Sequence, residues 1–130
     1  ADGSFQITIS HTRGYVSVGL HPACPVGIDI EYVSHRIEKV VSRFLRPDEQ
    51  ANTTVLQLLH WSAKETLFKL LDCREVDFIH HLQVMPFAES SEGCFSAKEY
   101  RTPRQQLYEV RYKVHPEFVC TWSLSVLSEN

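Results

Sequence analysis

The sequence predicts an α+β domain, a mainly antiparallel sheet packed against one long helix. Three observations predict it. Runs near both ends alternate apolar and polar residues with a period of two, as half-buried strands do. A central stretch instead spaces its apolar residues by three or four, at Leu56, Leu59, Ala63, Leu67 and Leu70. Polar turns at residues 88–93 and at His115-Pro116-Glu117 join the later strands as hairpins.

In chain order, residues 5–10 form the first predicted strand and Tyr15 to Leu20 the second, after a turn at Thr12-Arg13-Gly14. The hairpin they make carries Ser10, His11 and Thr12 near its tip. Two prolines make His21-Pro22-Ala23-Cys24-Pro25 a loop, and Val26 to Glu31 follows as a third strand. Within it, Gly27 allows a close backbone approach. Ser34 is placed to cap a helix over residues 35–46, where Ile37, Val40, Val41, Phe44 and Leu45 share a stripe. Pro47 ends that helix or opens the next, setting Asp48 and Glu49 near the positive end of a helix macrodipole. This second helix pauses near Asn52-Thr53-Thr54 and runs to about Leu71. Beyond Cys73 the pattern predicts one or two strands in Val76 to Pro86, then Gly93 to Ala97, Gln106 to Val114, and Phe118 to Leu127.

A chain of 130 residues, 43% hydrophobic and 22% charged, has the size and make-up of one globular domain with a real core. No apolar run approaches the roughly 18 to 20 residues that span a bilayer, so no membrane segment is expected. A net charge of −3 argues against general nucleic-acid binding. Cys24, Cys73, Cys94 and Cys120 form no CxxC pair and fit reduced thiols in a cytoplasmic protein. Neither His21-Pro22-Ala23-Cys24 nor His80-His81 has the spacing of a zinc site. The chain opens Ala1-Asp2-Gly3-Ser4 and its one methionine is Met85, so either a processed chain or the C-terminal part of something longer is expected.

Two short runs carry the chemistry. In Gly27-Ile28-Asp29-Ile30-Glu31 a strand period puts both carboxylates on one face and both isoleucines on the other. In Trp61-Ser62-Ala63-Lys64-Glu65-Thr66-Leu67-Phe68-Lys69 a helix puts Glu65 and Lys69 on a shared face. Three carboxylates flanked by two lysines are what a site needs to hold a hard divalent cation and a substrate phosphate together. Taken singly, the acid pair reads as a solvated strand face and Glu65–Lys69 as an ordinary helix pair. An acidic pair on an anchored strand, however, repels itself unless a cation neutralises it.

Together these runs resemble the motifs of the 4′-phosphopantetheinyl transferases. Those read roughly (V/I)-G-(I/V)-D-(I/V/L)-E and (F/W)-(S/C/T)-x-K-E-(A/S/T)-x-x-K, and Trp61 to Lys69 matches the second in full. Ile9-Ser10-His11 resembles the Ser-His strand end that precedes the first motif in the larger, surfactin-synthetase-activating type. Tyr112-Lys113-Val114-His115-Pro116 resembles that type's C-terminal hairpin.

The resemblance implies roles. Asp29, Glu31 and Glu65 would ligate a magnesium ion that also binds the pyrophosphate of coenzyme A. Lys64 and Lys69 would contact the phosphates, and Ser10 and His11 would lie near the 3′-phosphate. A serine of an apo acyl or peptidyl carrier protein would attack the β-phosphorus and expel 3′,5′-ADP. Glu65 is the candidate general base, directly or through a water, with Lys69 as the second catalytic residue. Carrier proteins are acidic near the modified serine. On the predicted helix over 35–46, Arg36, Lys39, Arg43 and Arg46 would form a basic stripe suited to steering one, or simply a solvated face.

Larger members have two similar halves with coenzyme A between them, and this chain resembles the second half. Small members are single halves that form trimers, so a homo-oligomer through the exposed half-domain face is a further expectation. The alternatives are a half-domain that binds carrier protein or coenzyme A without turnover, and a magnesium-dependent phosphohydrolase.

Overall fold

The computed structural model describes residues 6–12, 15–21 and 26–124, with side chains from residue 26 onward. A two-stranded hairpin comes first, β1 (Gln6–Thr12) with β2 (Tyr15–His21). Then β3 (Val26–Tyr32) leads into two 3-10 turns and the long helix α1 (Thr54–Leu71). Four strands complete the chain: β4 (Leu82–Val84), β5 (Glu92–Glu99), β6 (Leu107–Val114) and β7 (Phe118–Leu124). The larger sheet runs β3-β7-β6-β5-β4 with every neighbour antiparallel. This is the α+β arrangement that the sequence predicts.

Helix α1 forms because Thr53 caps it, its hydroxyl accepting the Leu56 N–H at 3.1 Å, and because its inward stripe is apolar. It ends at Asp72, whose left-handed backbone (φ 51°) closes the last turn onto the Phe68 carbonyl. Leu59, Ala63 and Leu67 are fully buried against Phe44, Val110 and Val119. The last hairpin closes tightly, Val114 facing Val119 and the His115 and Phe118 amides each bonding the other's carbonyl.

The strand that matters most for the site is β3, the sheet edge against which both α1 and the β1–β2 hairpin pack. The helix comes very close here. A Cβ on Gly27 would stand 2.6 Å from the Thr66 carbonyl oxygen and 2.8 Å from Leu70 Cγ. Beneath the contact, the hydroxyls of Ser62 and Thr66 each meet Thr121 Oγ1 of β7 at 2.8 Å. Small side chains on all three elements permit the approach, and mutual hydrogen bonding satisfies their buried oxygens.

Several expectations are corrected. Residues 35–46 do not form one helix but 3-10 turns at His35–Lys39 and Val41–Arg43. Ser34 does cap the first by accepting the Arg36 N–H, but Val40 (φ −121°) then interrupts it, one of two adjacent β-branched residues with poor helix propensity. Asp48 and Glu49 lie in a turn before α1, not at a helix start, and Glu49 is buried. In Val76 to Pro86 the strand is only three residues long, because Asp77 caps a turn by accepting the Ile79 and His80 N–H groups. The hairpin tip at residues 13–14, the loop at 22–25 with Cys24, and residues 125–127 of the last predicted strand lie outside the described residues.

Gly27→Ala should therefore destabilise the domain by roughly 1–3 kcal/mol, as overpacking does, since the nearest obstacle is backbone and cannot rotate away. Chemical denaturation measures this; a variant as stable as the parent would contradict the close contact.

Candidate active site

On β3 the residues Gly27, Asp29 and Glu31 share the face turned toward α1, while Ile28 and Ile30 point the other way. The two carboxylates thus occupy one face, as the period predicts, but helix α1 covers it. Asp29 is only 4% exposed. Its Oδ1 lies 3.6 Å from Lys69 Nζ, and Lys69 also donates to the Ile28 carbonyl at 2.7 Å. Trp61 and Glu31 line one groove, and the Trp61 side chain acts to lower the Glu31 carboxyl. Trp61, Glu65 and Lys69 follow at steps of four, so one stripe of the helix meets the acids of the strand.

Electrostatics shows how tightly the carboxylates are gathered. Burial, the hydrogen bond to Asp29, and the charges of Asp29 and Glu65 together push the Glu31 carboxyl up to about 9. Burial also raises Asp29, against the lowering effects of Glu31, Ser62 and Lys69. Glu65 is raised by burial and then by the charge of Asp29. Of the two strand acids it is Glu31 whose carboxyl the other pushes up, while Glu31 acts to lower Asp29.

The charges of Asp29 and Glu65 act on Glu31 and that of Asp29 acts on Glu65, so the three carboxylates lie within electrostatic reach of one another. Among the described residues no three acidic, imidazole or thiol groups already stand in a metal-holding arrangement. The charge excess, rather than a preformed cage, is what the structure supplies. Beside Glu31 opens a groove of about 340 Å³, with Ile37, Val40, Leu58 and Trp61 as apolar lining and Tyr32, Ser34 and Arg36 as polar lining.

Lys64 is the clear departure from the sequence expectation of a phosphate contact. It is 1% exposed, and its ammonium donates to the Phe44 carbonyl (2.6 Å), the Phe78 carbonyl (2.9 Å) and Glu49 Oε1 (2.8 Å). Three N–H donors meet three acceptors, leaving none for a phosphate. The reason is helical geometry: consecutive residues are about 100° apart, so Lys64 points into the core while Glu65 points to the strand. Burial lowers the Lys64 pKa, and the Glu49 carboxylate opposes that shift.

The basic stripe is also corrected. Without a continuous helix its spacing loses its meaning, and Arg46 is committed to Asp48 (3.0 Å) and the Ile79 carbonyl (2.8 Å). Arg36, Lys39 and Arg43 remain exposed. Ser10 and His11 sit in the β1–β2 ladder opposite Ser17 and Val16, next to the hairpin turn; their side chains lie outside the described residues. Sequence reasoning missed Glu49 and gave Trp61 no role. A lysine within the apolar stripe of α1 was the available signal that a buried acid had to exist.

A family model described as the 4′-phosphopantetheinyl transferase superfamily (ACPS) matches residues 25–123, well over half of the chain. No curated protein matches the sequence.

The raised carboxyls predict a pH dependence. Glu31 ionises near 4.5 when unfolded and near 9 when folded, so the folded chain binds the extra proton between those values. Without divalent cations, stability should be full below pH 4.5 and fall as pH rises toward 9. Glu31→Gln should flatten that slope. Thermal unfolding across this range in a chelator measures it, and an unchanged slope in the variant would contradict the buried acid pair.

Proposed function

Because the chain belongs to the 4′-phosphopantetheinyl transferase superfamily, we propose that it transfers 4′-phosphopantetheine from coenzyme A to a serine of an apo acyl or peptidyl carrier protein. The observation that carries this reading is the gathering of Asp29, Glu31 and Glu65, all three raised by burial, with Glu31 raised further by the charges of Asp29 and Glu65 and Glu65 by that of Asp29. Asp29, Glu31 and Glu65 hold magnesium in this reading, with the Glu31 proton displaced. The cation, when bound, neutralises charge on the pyrophosphate and on the departing 3′,5′-ADP.

The chain's own groups do the rest. Lys69, 29% exposed in its side chain and anchored beside Asp29, adds positive charge where the leaving group develops its negative charge. The serine oxygen forms its bond to the β-phosphorus as the bond to the leaving phosphate breaks, and the serine proton passes to Glu65, directly or through a water. The groove beside Glu31 has the mixed polar and apolar lining that an extended pantetheine arm requires. Ser10 and His11 serve the 3′-phosphate. Exposed Arg36, Lys39 and Arg43 meet the acidic carrier. The reaction belongs in the cytoplasm; among the described residues no helix is long and apolar enough to cross a membrane.

A second reading has one observation in its favour. Burial of Lys64 removes one expected phosphate contact, which suits a half-domain that binds carrier or coenzyme A without turnover.

Incubation with coenzyme A, magnesium and an apo carrier protein, followed by mass spectrometry of the carrier, separates the two. A gain of one phosphopantetheine, lost in Asp29→Ala and in Glu65→Ala, is expected. Carrier binding with no mass gain would support the half-domain, and wild-type turnover in either variant would overturn the roles assigned to these acids.

A further inference from the structure

Lys64 and Glu49 form a buried ion pair, 1% and 0% exposed in their side chains, that takes no direct part in the chemistry proposed above. Such pairs are poor stabilisers, since desolvation cancels much of their attraction and an apolar pair often serves as well. Its placement shows another use. The two carbonyls that accept from Lys64 belong to Phe44 and Phe78. The rings of those same residues flank Trp61, with centroids at 5.4 Å on each side. Trp61 in turn lines the same groove as Glu31, where its indole N–H is placed to favour the Glu31 carboxylate. Glu49 fastens the same ammonium to β4 and the preceding loop, accepting the Val84 N–H at 2.6 Å and the Arg46 N–H at 2.9 Å.

We infer that Lys64, held by Glu49, is a positioning residue: it fixes the backbone at Phe44 and Phe78 so that their rings hold Trp61 in place to orient the Glu31 carboxylate. Three irregular stretches meet at the ammonium: the segment at residue 44, the turn at residue 78 and the loop at Glu49. Among the described residues no backbone–backbone hydrogen bond ties residues 44, 49 or 78 to α1, and the lysine makes that link from the helix itself. Outer groups that orient a cation's carboxylates typically affect affinity by about 10- to 100-fold. The inference rests on the cation-binding part of the proposed function and not on phosphopantetheine transfer.

The test replaces the pair without leaving a buried charge. Lys64→Ala alone strands the Glu49 carboxylate and is expected not to fold, so the informative variant is Lys64→Met with Glu49→Gln. A Trp122→Phe background leaves Trp61 as the one tryptophan, and its emission and acrylamide quenching report its position without any ligand. The double variant should unfold cooperatively like the parent, yet show Trp61 quenched more readily and red-shifted. Its magnesium affinity, read by thermal shift, should fall roughly 10-fold or more. Trp61→Phe in the parent, which keeps a ring between Phe44 and Phe78 but loses the N–H, should lower magnesium affinity to a similar degree. A folded double variant with parental Trp61 emission overturns the inference, as does parental magnesium affinity in Trp61→Phe. A parent that binds magnesium but transfers nothing would instead defeat the proposed reaction and leave this inference standing.

Discussion

Everything at the candidate site depends on how closely α1 lies against β3. Gly27 leaves no side chain between the strand and the Thr66 carbonyl, and Ser62, Thr66 and Thr121 fill the seam with small hydroxyls that satisfy one another. A larger residue at any of these points would push the helix outward. Because the seam is narrow, Lys69 can reach the Ile28 carbonyl and Asp29, and the charges of Asp29 and Glu65 fall within each other's range. The acids are thereby buried together, which raises their carboxyls and, in the proposed function, is relieved by a cation.

The second organising feature is polar as well. Between α1 and the sheet's far edge, the Lys64–Glu49 pair satisfies the loop carbonyls of Phe44 and Phe78, the loop amide of Arg46 and the Val84 amide of β4. Around it lie Phe44, Trp61, Phe78 and Phe68, a row of tilted rings along one side of the helix. Consecutive residues of one motif thus work on opposite sides of α1. Lys64 holds the scaffold from within, and Glu65 faces the acids of β3.

What the sequence made legible follows its periodicity. The alternation of β3, the three-and-four spacing of α1 and the His115-Pro116-Glu117 hairpin are local patterns, and each appears as an element close to its expected bounds. The helix expected over 35–46 rested on the same kind of apolar spacing, but short 3-10 turns can also direct Ile37 and Phe44 inward. For Lys64, motif resemblance outweighed geometry. Its helical neighbours His60, Ala63 and Leu67 are all buried, which already placed it on the inner stripe. Its partner Glu49 was not legible, since that contact spans fifteen positions and depends on how the loop folds. The acid pair of Asp29 and Glu31 was half legible: the pair was evident on one face, whereas its burial beneath the helix was not.

The central claim is that strand acids and helix acid serve one cation. Manganese, a paramagnetic substitute for magnesium, tests it most directly through a crystal structure of the manganese-loaded chain with anomalous scattering. The account predicts a single ion within coordination distance, about 2.0–2.2 Å by analogy with magnesium, of carboxylate oxygens from Asp29, Glu31 and Glu65. An ion bound elsewhere, or one held by the strand acids with Glu65 turned away, would contradict it.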